Sequence, residues 1–124
     1  MPIPATRAES AAAVLSKATV RAADQLGLRQ AQLARLLGLS TATASRLAAG
    51  TWLLPEDGKA WELAAAFVRL YRSLSAITGG KAQAMRDWLH SDNAALGGEP
   101  AQRILSAEGL VHVLQYLDAT RGRI

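Results

Sequence analysis

Thr41, Ala42, Thr43, Ser45 and Arg46 carry the most legible chemistry in this chain. On helical spacing Ala44 and Leu47 turn to one side and leave those five residues on the other. Short hydroxyls and a methyl around one long cation suit a face that meets nucleic acid. Arg46 fits a bidentate guanine contact or a phosphate clamp, the hydroxyls reach phosphates or base edges, and Ala42 fits against a thymine methyl. The same residue types also suit a solvated helix face. Catalytic chemistry has little support. The two histidines, His90 and His112, lack metal-ligand spacing such as HExxH, and neither GxGxxG nor a P-loop occurs. His90-Ser91-Asp92 contains triad residue types, but three consecutive residues do not converge as a triad does. We expect no enzyme, no metal and no cofactor.

Two helical segments must position the polar face. Gln30–Leu37 and Thr41–Ala49 are separated by Gly38-Leu39-Ser40. Leu33, Ala34 and Leu37 share one side of the first segment. Gly38 supplies the positive φ of a sharp helix–helix corner, Leu39 plugs the angle, and Ser40 caps the second helix. Gly50 ends it. A helix-turn-helix is the expected motif, with its second helix entering the major groove. Any compact helical bundle also needs corners of small residues. Gln30, opening the first helix, is placed to donate to a phosphate. Arg29 stands where a Ser or Thr cap often opens that helix.

The chain has 124 residues, half of them apolar, and no cysteine, with fourteen Lys and Arg against ten Asp and Glu. That length suits one domain or two small ones with a modest core. No run of ~18 apolar residues suggests a membrane span, and no basic-then-apolar leader opens the sequence. Lack of cysteine excludes disulfides and thiol catalysis and fits a cytoplasmic protein. Richness in alanine with few alternating β-branched runs predicts an all-α fold. Charge is uneven: Arg7, Lys17, Arg21, Arg29, Arg35 and Arg46 face only Glu9 and Asp24 in residues 1–50, whereas residues 51–124 carry eight charges of each sign. The net +4 therefore lies with the helix-turn-helix, as phosphate contact favours, and its modest size points to a dimer or larger assembly.

In chain order, residues 1–8 read as a loose arm. From about Glu9 to Leu26, Ala11, Val14, Leu15, Ala18, Ala22 and Leu26 predict an amphipathic helix ending at Gly27, with Lys17 and Arg21 sharing a face that suits phosphate or solvent. Trp52 in the Thr51–Pro55 connector is expected to pack on the bundle. Pro55 suits the first turn of the next helix, with Glu56 and Asp57 at its positive end. Trp61, Ala64, Phe67, Val68, Tyr71, Leu74 and Ile77 predict a long helix over Lys59–Thr78 that joins both halves and offers a candidate dimer surface. Ala82, Met85, Trp88 and Leu89 line a short helix, Gly97-Gly98 permits a tight bend, Pro100 starts another helix, and Ser106 caps a last one from about Ala107 to Ala119. The expected architecture is an N-terminal helix-turn-helix bundle, residues 1–54, joined by a long helix to a small helical domain within residues 55–124.

Two stretches resemble known motifs. QAQLARLLGLSTATASRLAAG looks like the Xre, phage-repressor-like helix-turn-helix, in Ala34, the Gly38-Leu39-Ser40 turn, Ser45-Arg46 and closing Gly50. The series Trp88-Leu89, Asn93 through Gly98, Pro100, Glu108-Gly109-Leu110 and Val113 resembles the C-terminal toxin-binding domain of Xre/MbcA/ParS antitoxins. The two motifs occur in the order that family has, over roughly residues 28–118.

That resemblance implies an antitoxin of a type II toxin–antitoxin system. Its partner would be a RES-domain toxin that hydrolyses NAD or ADP-ribosylates a target, occluded at its active site, and its helix-turn-helix would bind operator DNA and repress its own operon. Homodimers bridging toxins are typical of the family. DNA contacts would then fall on Gln30, Thr41, Ala42, Thr43, Ser45 and Arg46. Toxin contacts would fall on outward positions around Arg86, Asn93, Gly97 and Gly98, and on tail residues Arg121 and Arg123, which equally suit solvent or phosphate. Trp88 and Leu96 would be core residues that hold the loop. A stand-alone repressor, with residues 51–124 as a dimerisation or effector module, is the rival reading.

Overall fold

The computed structural model describes residues 9–122, and among them the chain forms seven α-helices and no β-strand. They are α1 Ala11–Gln25, α2 Gln30–Leu37, α3 Thr41–Ala49, α4 Lys59–Thr78, α5 Ala82–Leu89, α6 Pro100–Arg103 and α7 Ala107–Gly122, with a 3-10 turn at Ala94–Leu96. No helix among the described residues is long and apolar enough to cross a membrane.

Helix α1 begins where the Ser10 hydroxyl accepts the Ala13 amide at 3.0 Å, and its inward face is only partly the expected one: Ala22 and Leu26 are buried as expected and Leu15 packs on the core. Ser16, Thr19, Ala22, Ala23 and Leu26 are buried, whereas Val14 of the anticipated stripe is 53% exposed. Short side chains win this face because α1 packs on both α4 and α3. The two hydroxyls are compatible with burial because each is bonded: Thr19 Oγ1 donates to the Leu15 carbonyl at 2.7 Å, and Ser16 Oγ accepts the Leu54 amide at 3.0 Å.

Helices α2 and α3 meet at Gly38, whose φ of 69° is the left-handed turn the corner demands. The Leu39 amide reaches back to the Ala34 carbonyl at 2.8 Å, and the Leu39 side chain packs against the core. Leu33, Ala34, Leu36 and Leu37 of α2 and Ala44 and Leu47 of α3 are buried. Trp52 in the following connector is half-buried against the same core.

Pro55 does not open the next helix. It starts a separate turn over residues 55–58, and α4 begins behind Gly58, leaving Glu62 as the acidic residue of its first turn. Helix α4 is the axis of the fold, with α7, α1, α2 and α5 packed around it. Contact on several sides explains why Ala64, Phe67, Val68, Leu70, Ser73 and Leu74 are all buried rather than one narrow stripe. A single cluster of buried apolar side chains runs from Ala22 on α1 to Leu117 on α7, with members on both sides of residue 54.

Beyond α5, Pro100 stands in the first turn of the four-residue α6, and α7 starts where the Ser106 hydroxyl accepts the Gly109 amide at 3.0 Å. Gly109 is buried because α6 and α7 touch there: a Cβ on it would overlap the Arg103 carbonyl.

Candidate functional site

The second helix of the corner presents its polar face as spacing requires. Thr41, Ala42, Ser45 and Arg46 are exposed and Thr43 is half-buried, above the inward anchors Ala44 and Leu47. The polar side chains are not independent. Ser40 Oγ accepts the Thr43 amide at 3.1 Å and donates to Thr43 Oγ1 at 3.0 Å; Arg46 Nη2 donates to the same oxygen at 3.1 Å. Positions 40, 43 and 46 lie on one side of the helix, so the cap, the threonine and the arginine form a ladder that orients the guanidinium. Thr43 keeps its own hydroxyl proton to donate outward, and Arg46 keeps four of its five donors.

Gln30 is exposed at the start of α2. The unusual Arg29 is accommodated three residues on, where Gln32 Oε1 accepts the Arg29 amide at 2.9 Å and so does the work of half a capping box. On α1, Lys17 pairs with Glu9 at 2.9 Å, and Lys17 and Arg21 border a groove floored by Val20, Leu47 and Leu53.

The C-terminal half builds a different surface. Asn93 and Gly98 exchange backbone hydrogen bonds, amide to carbonyl, at 3.0 and 3.1 Å, pinching off a loop over residues 94–97. Buried Leu96 nails the loop to the core, while Ala94, Ala95 and Gly97 face out. Gly97 at φ 73° and Gly98 at φ 149° take conformations that side-chain-bearing residues rarely adopt, which is why the double glycine stands there. The result is a small, firm knuckle of backbone. Leu96 is core, and Trp88 is half-buried, its ring stacked on Tyr116 with centroids 6.5 Å apart and planes at 25°.

Arg86 is not the outward residue its spacing implied. It is half-buried, and Nε donates to the Gln25 carbonyl at 2.9 Å while Nη2 donates to that of Asp24 at 3.1 Å. The last turn of α1 leaves carbonyls short of helical partners; the guanidinium supplies a donor to that of Gln25 and a second donor to that of Asp24, which also accepts the Gly27 amide at 3.1 Å. Arg121 is exposed near Ser73 and Asp118; Arg123 lies outside the described residues. The structure thus ties Arg86 to the end of α1, and places Arg69, Arg72 and Asp118 beside Arg121. Arg69 and Arg72 stand at i,i+3 on the side of α4 away from its apolar stripe.

The histidines have structural partners. His90 Nδ1 lies 3.5 Å from Glu99 Oε1, and His112 Nδ1 lies 3.3 Å from Arg103 Nη2. Ser91 donates to the Asp87 carbonyl at 2.6 Å, so its hydroxyl serves the end of α5 and not the neighbouring His90. Among the described residues no three His, Asp or Glu side chains gather as metal ligands would.

Two family models match the chain. The antitoxin Xre-like helix-turn-helix domain matches residues 7–69, and the antitoxin Xre/MbcA/ParS C-terminal toxin-binding domain matches residues 73–123. No individual curated protein matches it. The first match covers the α2–α3 corner and the second covers the Asn93–Gly98 knuckle, so each family assignment falls on its own constructed surface. With both domains present in tandem, the chain belongs to the Xre/MbcA/ParS family of antitoxins.

Proposed function

We propose that this antitoxin neutralises a RES-domain toxin by covering its NAD-binding cleft, and that it acts in the cytoplasm, where its helix-turn-helix binds operator DNA and represses its own operon. The observation that supports this reading most is the toxin-binding match over residues 73–123, which falls on a half presenting an exposed knuckle. Inhibition of this kind needs an occluding surface and no catalytic group. In this reading Asn93, Gly97 and Gly98, the part of Arg86 left exposed by its bonds to α1, and the tail residues Arg121 and Arg123 contact the toxin. Gln30, Thr41, Ala42, Thr43, Ser45 and Arg46 meet DNA, as a homodimer within the toxin complex, because a net charge of +4 per chain gives one copy little hold on phosphate.

Co-expression with the adjacent open reading frame tests this. The neighbour alone should arrest growth and deplete cellular NAD or modify a target, and this chain should restore growth and co-purify with it. A harmless neighbour that forms no complex would leave a stand-alone repressor as the function.

A further inference from the structure

Between α4 and α7 lies a cleft of about 650 Å3 lined by Arg69, Arg72, Ser73, Asp118, Arg121 and Gly122. Three arginines and one carboxylate line it. Residues 51–124 carry equal numbers of acids and bases, so this excess is a local concentration and not part of a generally basic surface.

Both oxygens of Asp118 are already engaged: Oδ1 accepts from Ser73 Oγ at 2.7 Å and Oδ2 from Arg69 Nη2 at 3.0 Å. Arg121 Nη1 approaches Ser73 Oγ at only 3.5 Å, and Arg72 has no ion pair among the described residues. Small residues keep the cleft open. Ser73 is 2% exposed, and a Cβ on Gly122 would meet nothing within 4 Å. Its walls therefore carry an excess of donors and positive charge, since the Asp118 carboxylate forms an ion pair with only one of the three arginines. No aromatic side chain lines it to stack on a base. Donors come from two helices, Arg69 and Arg72 from one and Arg121 from the other. One planar carboxylate satisfies a single guanidinium fork; a tetrahedral group with several oxygens and about two charges can answer all three arginines.

We propose that this cleft binds a phosphoryl group, as in pyrophosphate or a phosphate monoester. The site is distinct from the α3 face and stands or falls independently of which toxin the protein neutralises.

The test uses the full chain and arginine Nε–Hε resonances in 1H–15N spectra, titrated with pyrophosphate and with inorganic phosphate against sodium chloride of equal ionic strength. Saturable shifts at Arg69, Arg72 and Arg121 are expected. Arg72→Gln should weaken pyrophosphate binding about fivefold, the size an exposed charged contact supports. Arg35→Gln, which alters an exposed arginine on α2, should leave it unchanged. Both positions are exposed, and an unchanged backbone spectrum verifies the fold. Equal shifts with chloride, or equal losses in the two variants, would overturn the proposal. Adding short duplex DNA identifies the source: displacement of pyrophosphate, with weaker DNA binding by Arg72→Gln, assigns the site to a phosphodiester backbone, and persistence of bound pyrophosphate assigns it to a small soluble phosphate.

Discussion

Arg86 on α5 donates its Nε–H to the carbonyl oxygen of Gln25 at 2.9 Å, joining the two matched halves across 61 residues of sequence. A second bond from Nη2 to Asp24 fixes the plane of the guanidinium, and Gly27 lies against the same side chain, its position for a Cβ 3.4 Å from Nε. Arg86→Ala should therefore lower stability by about 1–2 kcal/mol, the range for partly exposed bonds from a charged donor. Arg86→Lys should recover only part, because an ammonium cannot reproduce the planar fork. Urea denaturation measures both, and a wild-type midpoint for the alanine variant would show that the strut carries no energy.

Ser16 poses the opposite case, a small polar group in a dry place. Its hydroxyl accepts the Leu54 amide at 3.0 Å, and the residue is 3% exposed. Ser16→Ala leaves the volume nearly unchanged but orphans that amide, so a loss of about 1–3 kcal/mol is expected. Ser16→Thr or Ser16→Gly would confuse packing with hydrogen bonding; alanine is the informative change. Faster hydrogen exchange at the Leu54 amide provides a local readout.

Gly109 sets two known effects against each other. Alanine in a helix interior is favoured over glycine by about 1 kcal/mol. Here, however, the added Cβ would overlap the Arg103 carbonyl and come within 2.7 Å of its carbon, and backbone cannot swing aside as a side chain can. Overpacking of this kind costs about 1–3 kcal/mol. Gly109→Ala should thus be destabilising in net, with the α6–α7 corner forced apart and neutralisation weakened. A variant as stable as the wild type, by thermal melting, would mean that α6 moves freely.

Arg46→Ala should weaken operator binding and leave neutralisation of the partner intact. The salt dependence of DNA affinity distinguishes its two possible roles. Loss of a phosphate clamp lowers affinity about equally for all sequences and reduces the salt slope by about 1. Loss of a guanine contact costs about 1–3 kcal/mol on the cognate site and relaxes specificity at one base pair. Because Thr43 Oγ1 receives the Arg46 guanidinium, Thr43→Val should reproduce part of either effect. If neutralisation fell together with DNA binding, the assignment of the two activities to separate faces would be wrong.

The all-α fold and the corner at Gly38 were legible in the sequence because they depend on local rules: apolar spacing, a turn glycine and a serine cap. The face of α1 was legible only in part, at Ala22 and Leu26. Hydropathy sends Ser16 and Thr19 outward, and only the Leu54 amide and Leu15 carbonyl, one of them distant in sequence, make their burial favourable. Pro55 misled for a similar reason, since proline suits a helix start and a tight turn equally well, and Gly58 decides between them. Of the candidate contacts, the polar face of α3 follows from spacing alone. Arg86 was misplaced because a cation on a short helix looks solvent-facing until the end of another helix is brought beside it. The cleft between α4 and α7 needed residues 45 to 49 positions apart to be paired, which no local pattern can do.

Helix α4 runs unbroken from Lys59 to Thr78, and the two family matches meet inside it. Neither half owns this helix: α1 and α2 lean on its flank, and α7 leans on another. A cellular protease that severed the chain after α4 would strip away the wall that α7 provides and undermine the floor on which the DNA-reading corner rests. Under the proposed function, loss of repression and release of the partner would then follow from one cut, at one time, with no signal passing between two sites.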